Sequence, residues 1–311
     1  MTLAIRTRNL TRRFSGQFGI CDLDLNVPGG TIYGFLGPNG AGKTTTIRLL
    51  LDLLRPERGE IALFGQPLNR SMRQTLGLVG ALVESPSLYQ HLSGRENLDV
   101  TRRLIDAPRA RIDQVLDRVG LTDAAERRVR EYSLGMRQRL AIALAMLGAP
   151  RLLILDEPSN GLDPAGILDM RRLLRSLVCD DGITVFISSH LLAEIEQIAS
   201  FVGVVQAGRL RFEGRLDDLR ARAKPKLELR CDSPARAMDL LRAAGEEIVT
   251  SVPHTLSIAT VSIALSRRSP EEINRMLVSH GVGVSHLAVE NVSLESLFFD
   301  LTDSIAVEDA A

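Results

Sequence analysis

Lysine is nearly missing from this chain. The 311 residues carry 38 basic side chains, yet only Lys43, Lys224 and Lys226 are lysines. A position that keeps lysine against such a background points to a need for a compact ammonium rather than a planar guanidinium fork. Net charge is missing too, because 38 acidic side chains balance the basic ones. No global field therefore draws the chain to nucleic acid or acidic lipid. Cys21, Cys179 and Cys231 are the only cysteines and form no C-x-x-C pair. That argues against a disulfide framework or a zinc site and fits a reducing cytosol. Long apolar runs are absent as well: the longest, Leu140 to Leu155, is broken by Pro150 and Arg151, too short for a membrane span. Met1–Arg6 shows no signal-peptide core. Any membrane role is expected to come through a partner. There is no internal repeat, and the 45% apolar fraction supplies core enough for one large domain and a small one.

What is present is sharper. Gly37-Pro38-Asn39-Gly40-Ala41-Gly42-Lys43-Thr44 satisfies G-x-x-x-x-G-K-[ST] at every fixed position. It follows the apolar run Ile32–Leu36 and precedes the helical-looking Thr45–Leu51. Strand, glycine loop and helix are the context this motif requires. Glycines let backbone N–H groups turn inward around phosphates, and the helix N-terminus favours anions. The pattern predicts a bound nucleoside triphosphate, with Lys43 on the β- and γ-phosphates and Thr44 on Mg²⁺.

The rest of the chain reads as an α/β core followed by a small α+β unit. Strands are expected at Leu3–Arg8, Ile20–Val27, Thr31–Leu36, Ile61–Phe64 and Leu76–Val83. A mostly helical stretch runs over about residues 85–150. Leu152–Leu155, Thr184–Ile187 and Val202–Val205 read as central strands covered on both faces, separated by helices at Ala165–Leu177 and Leu191–Ala199. Gly208-Arg209 reads as a hairpin turn and Leu216–Ala223 as a closing helix. Lys224-Pro225 marks a boundary, dividing residues 1–223 from 224–311. The second part runs strand, helix, strand, strand, helix, strand, an order that suggests a ferredoxin-like fold.

Leu152–Asp156-Glu157 is an apolar strand ending in two carboxylates, where a phosphate-loop NTPase places its Mg²⁺-organising aspartate. Asp156 takes that role, and Glu157 is placed to orient or deprotonate the attacking water. Ser133-Leu134-Gly135 before the run Leu140–Leu147 offers a helix cap or a second anion site.

In this order the motifs resemble the ATP-binding subunit of an ABC transporter, over residues 3–222. Gly37–Thr44 is similar to its Walker A loop, extended by Thr45 at the nucleotide. Ser133–Gln138 resembles its signature, departing at Leu134 and Met136. Leu152–Glu157 resembles Walker B with its catalytic glutamate, Ser159–Asp163 the D-loop, and His190 the switch histidine. Phe14 sits where the family stacks an aromatic on adenine, or is a core phenylalanine. Glu84 stands where the family usually has glutamine, as in exporters conferring immunity to lantibiotics and bacitracin-like peptides, and is either a Mg²⁺ ligand or a solvated loop glutamate. Ser293–Phe299 resembles the same export branch.

The resemblance implies a phosphate-loop cassette with a helical subdomain, ATP and Mg²⁺ as ligands, and a head-to-tail homodimer. ATP on Lys43, Thr44 and Asp156 of one subunit would be capped by Ser133 and Gly135 of the other, with Asp163 nearby. It also implies a separate polytopic permease at the cytoplasmic face of the membrane, exporting an antibiotic, peptide, drug or lipid. One competing reading is a regulatory cassette that no longer hydrolyses ATP, against which the intact Lys43, Asp156, Glu157 and His190 count; the other is a soluble ATPase of this type acting on nucleic acid or ribosomes. Neither tandem cassettes nor a long coiled coil appears, and Arg127-Arg128-Val129-Arg130 reads as a solvated face.

Overall fold

The computed structural model describes residues 2–14, 17–68, 70–83, 87–221, 226–255, 258–264 and 268–290. Glu84, Lys224-Pro225 and Ser293–Phe299 lie outside these residues. The chain divides into two compact units, Met1–Leu216 and Asp217–Ala311.

The first unit opens with β1 (Leu3–Phe14), β2 (Gln17–Leu23), β3 (Asn26–Pro28) and β4 (Ile32–Leu36), then α1 (Lys43–Leu50), β5 (Arg58–Leu63), β6 (Gln66–Pro67) and β7 (Val79–Leu82). Three helices follow: α2 (Gly94–Leu104), α3 (Ala110–Arg118) and α4 (Leu134–Met146). Then come β8 (Leu152–Asp156), α5 (Pro164–Cys179), β9 (Thr184–Ser189), α6 (Leu192–Glu196), β10 (Phe201–Gln206) and β11 (Arg209–Arg215).

Two sheets result. The larger has the order β11-β10-β4-β9-β8-β7, parallel except for β11. The strands β4, β8 and β9 are buried along their whole length, as expected of apolar runs covered on both faces. The second sheet is antiparallel, β2-β1-β5-β6, with β3 also paired to β1. Helix α1 touches both β2 and β8. Its Ile47, Leu49 and Leu50 join Ile5, Leu10, Phe35 and Phe186 in one buried cluster. The loop that precedes α1 is therefore fixed to a rigid core.

Three sequence expectations change. Leu76–Val83 is not one strand: Arg70–Leu78 is 3-10 helix and only Val79–Leu82 pairs. The partner β8 begins at Leu152, just after Pro150, which has no N–H to give a ladder. Ile20–Val27 splits in two, because β2 pairs with one end of β1 and β3 with the other. Asp22, next to last in β2, has φ 50, and Thr7 Oγ1 staples the crossing by donating to Leu23 O and accepting from Leu25 N. The helix expected at Leu191–Ala199 shrinks to Leu192–Glu196: Leu191 is extended (φ −103, ψ 105), and at the other end Ile198 N and Ala199 N both donate to Ile195 O before Ser200 N turns to Ile32 O.

In the second unit, α7 (Leu216–Ala221) begins at the division. It is followed by β12 (Lys226–Cys231), α8 (Pro234–Ala243), β13 (Glu247–Thr255), β14 (Ile258–Ala264), α9 (Pro270–Ser279) and β15 (Val284–Glu290). The sheet order is β13-β14-β12-β15, antiparallel throughout, the pairing of a ferredoxin-like βαββαβ unit. Leu227, Leu229, Val261 and Ile263 bury against Ala237, Leu241, Ile273 and Leu277 of α8 and α9.

Candidate functional site

Strand β4 ends at Leu36 and the chain turns at once through Gly37–Gly42 into α1. A Cβ at Gly37 would lie 2.4 Å from Val205 O, and one at Gly42 2.7 Å from Ile20 Cγ2, with Gly42 at φ 104. Only glycine fits such approaches without a shift. Gly42 is the N-cap of α1 and brings no side-chain cap, so the first-turn N–H groups of Lys43, Thr44 and Thr45 have no intrahelical acceptor. Pro38, Asn39 and Gly40 form the exposed crest, and Ala41 is buried beneath them.

Lys43 is 6% exposed and curls back over the loop. Its Nζ donates to Gly37 O at 2.8 Å and Pro38 O at 3.3 Å, and lies 3.3 Å from Glu157 Oε1. The other oxygen of Glu157, Oε2, lies 3.0 Å from His190 Nδ1. Lys43, Glu157 and His190 thus form one connected row. Beside it, Thr44 Oγ1 donates to Asp156 Oδ2 at 2.9 Å. The β8 and β9 termini bring Asp156, Glu157 and His190 to the loop from more than a hundred residues away in sequence.

The sequence reading passed over Ser188. Fully buried at the end of β9, its hydroxyl donates to Asp156 Oδ1 and accepts the Glu157 N–H at 3.0 Å. Nothing in a single sequence separates this serine from any strand-end serine; the register Asp156↔Ser188 does. Glu194 is a second such residue. With Asn160, Ser189 and His190 it lines a cavity of about 120 Å³ beside Glu157. Burial pushes its carboxyl above the ordinary range, against the pull of Arg171 and His190.

Ser133 caps α4 by accepting from Met136 N at 3.2 Å, and Asp163 caps α5 by accepting from Gly166 N at 2.9 Å. Among the described residues, no hydrogen bond or ion pair joins Ser133, Gly135 or Asp163 to the phosphate loop. Phe14 is 39% exposed at the end of β1, with Arg12 Cζ 5.4 Å from its ring centroid, so it is not a core phenylalanine.

Thr44 and Asp156 present hard oxygen donors of the kind Mg²⁺ takes. The described residues contain no group of three or more His, Cys, Asp or Glu able to hold a metal alone. Such a site suits a cation that fills its shell with phosphate oxygens and water. No helix among the described residues is long and apolar enough to cross a membrane.

Comparison with known proteins identifies the family. The ABC transporter family pattern matches residues 20–160. The chain is 41% identical over 302 residues to the bacitracin transport ATP-binding protein BcrA of Bacillus licheniformis, covering 97% of this chain and 98% of that protein. It is 36% identical to the daunorubicin resistance ATP-binding protein DrrA3 of Streptomyces coeruleorubidus, covering 99% of each. Among solved structures, cbiO1 of Clostridium perfringens, part of an ABC transporter complex, superposes with a TM-score of 0.66 at 26% identity, covering 71% of this chain and 92% of that one. The chain belongs to the ATP-hydrolysing, ATP-binding subunits of ABC transporters.

Proposed function

We infer that this chain binds Mg²⁺-ATP on Gly37–Thr45 and uses its hydrolysis to drive a separate membrane permease that exports an antibiotic, peptide, drug or lipid. The observation that carries the site assignment is the row Lys43–Glu157–His190 beside the pair Thr44–Asp156. The names of relatives favour export: bacitracin transport, lantibiotic transport in Streptococcus pyogenes and daunorubicin resistance. None of these names points to nucleic acid or ribosomes.

The chemistry follows from the contacts. Glu157 is the counter-ion of Lys43. A γ-phosphate competes for the same ammonium and frees Glu157 Oε1. That oxygen then takes a proton from water as the water oxygen attacks the γ-phosphorus and the bond to the β-phosphate oxygen breaks, giving ADP and phosphate. His190 holds Oε2 and so orients the carboxylate. Ser188 fixes the Asp156 carboxylate and the Glu157 backbone together. Mg²⁺ would be held by Thr44 and Asp156 and would neutralise phosphate charge. Phe14 offers a stacking face to adenine. Ser133 and Gly135 have no partner in their own phosphate loop, which favours a dimer in which they cap the nucleotide of a second copy, with Asp163 at the junction. A dimeric cassette bound to ADP and phosphate shares the fold, with a TM-score of 0.60 at 22% identity. The transporter would place the chain on the cytoplasmic face of the membrane.

The test is affinity capture of Glu157→Gln from detergent-solubilised membranes of the native host with ATP and Mg²⁺. Recovery of a polytopic membrane protein supports the reading and identifies the permease. Recovery of soluble partners or nucleic acid alone overturns it.

A further inference from the structure

Leu134 is 39% exposed at the first position of α4, too open to be core. What it touches is the loop after β8. A Cβ placed on Gly161 would lie 3.1 Å from Leu134 Cδ2, and one on Gly135 3.8 Å from Leu162 Cδ2. The first turn of α4 and this loop therefore run close together, and the missing Cβ of Gly161 leaves the room that the Leu134 side chain takes. Gly161 has φ 76, a conformation glycine adopts freely.

At the other end of the loop stands Glu157, with φ 47. A non-glycine residue keeps that left-handed conformation only where its surroundings hold it. The holders are visible. Ser188 Oγ accepts the Glu157 N–H. Asn160 N donates to Glu157 O at 3.1 Å, and Leu162 N donates to Ser159 O at 3.1 Å. Residues 157–162 are thus two overlapping tight turns. They are anchored on β9 at the Glu157 end and lie beside Leu134 at the Gly161 end.

We propose that Leu134 is a positioning residue for hydrolysis: by bracing Gly161 it keeps the Asn160–Glu157 turn, and with it the Glu157 carboxylate, in register with the attacking water. The proposal rests on the reading of Glu157 as the base. Lys43, Thr44 and Asp156, which hold ATP within the subunit, sit on other elements, and Ser133 and Gly135, which flank Leu134 and face a second copy's nucleotide, keep their own groups when Leu134 is shortened. Loss of the brace therefore lowers turnover and spares affinity.

The experiment uses the full-length chain, with steady-state phosphate release for kcat and titration with a fluorescent ATP analogue for Kd. Leu134→Ala removes the contact and keeps a good helix former at the position. Its kcat is expected to fall about tenfold, since small misplacements of a catalytic group carry losses of up to about a hundredfold. Its Kd stays within about twofold, and Leu134→Met, which restores apolar reach, recovers most of the turnover. In a Glu157→Gln background, single-turnover hydrolysis shows no further loss from Leu134→Ala, because both changes act through one carboxylate. Wild-type kcat in Leu134→Ala overturns the brace. So does an equal loss in the Glu157→Gln background, or a joint loss of kcat and affinity that methionine does not recover. Wild-type turnover in Glu157→Gln alone is a different failure: it removes the base assignment first, and the brace with it.

Discussion

Glu157→Gln is expected to move nucleotide affinity and turnover in opposite directions. Lys43 Nζ and Glu157 Oε1 are 3.3 Å apart, with side chains 6% and 24% exposed. At an effective dielectric near 20, unit charges at that distance attract by about 5 kcal/mol. Desolvation of both groups and the partial exposure of Glu157 reduce the net pairing to about 1–2 kcal/mol. A triphosphate must displace this carboxylate from the ammonium. Glutamine keeps the shape and a carbonyl acceptor for His190 but removes the competing charge. Affinity for ATP should therefore rise about 5- to 30-fold, at 1.4 kcal/mol per factor of ten. Turnover should fall about 10²- to 10⁴-fold through loss of the general base. Equilibrium titration with a non-hydrolysable ATP analogue measures the first effect, and phosphate release measures the second. Phosphate release at the wild-type rate would refute the base. An unchanged or weaker Kd would refute the counter-ion.

Lys43→Arg keeps the charge, but the planar fork cannot curl onto Gly37 O and Pro38 O in a 6% exposed niche; loss of ATP binding in a folded protein is expected by titration. Ser188→Ala leaves buried Asp156 Oδ1 and the Glu157 N–H without their hydroxyl; it should lower stability by about 1–3 kcal/mol in urea unfolding and reduce kcat. Tyr33 is buried, and burial first, then the charge and hydrogen bond of Glu213, push its phenol well above the ordinary value of 10.0. The folded state thus keeps the proton that the unfolded chain gives up. Stability should hold below about pH 10 and decline as pH rises past it. Tyr33→Phe should flatten that decline while lowering stability by about 1 kcal/mol at neutral pH, as read from urea midpoints across pH. Leu134→Ala should lower kcat and leave Kd alone.

Much of this site was legible because its chemistry is local. The phosphate loop is eight consecutive residues whose glycines and lysine act on their own backbone, and the strand before it and the helix after it announce themselves by apolar pattern. The pair Asp156-Glu157 could be found because a wholly apolar strand ends there. Leu76–Val83 reads as one strand in sequence because a run of apolar side chains suits a 3-10 turn packed on a core equally well. The ladder available on β8 decided where pairing starts. Glu84 and the C-terminal stretch 291–311 fall outside the described residues, so their expectations stand where the sequence left them.

By itself, the sequence determined the order of elements, the identity of the phosphate loop and the carboxylates that could serve it. These depend on side-chain periodicity and on backbone freedom within a few residues. Only the tertiary structure decided that Lys43 is neutralised by Glu157, that Ser188 ties Asp156 to the Glu157 backbone, and that Leu134 leans on Gly161. Those contacts join positions 27 to 114 residues apart. They exist because the parallel sheet brings β4, β8 and β9 side by side, and α4 to the loop after β8.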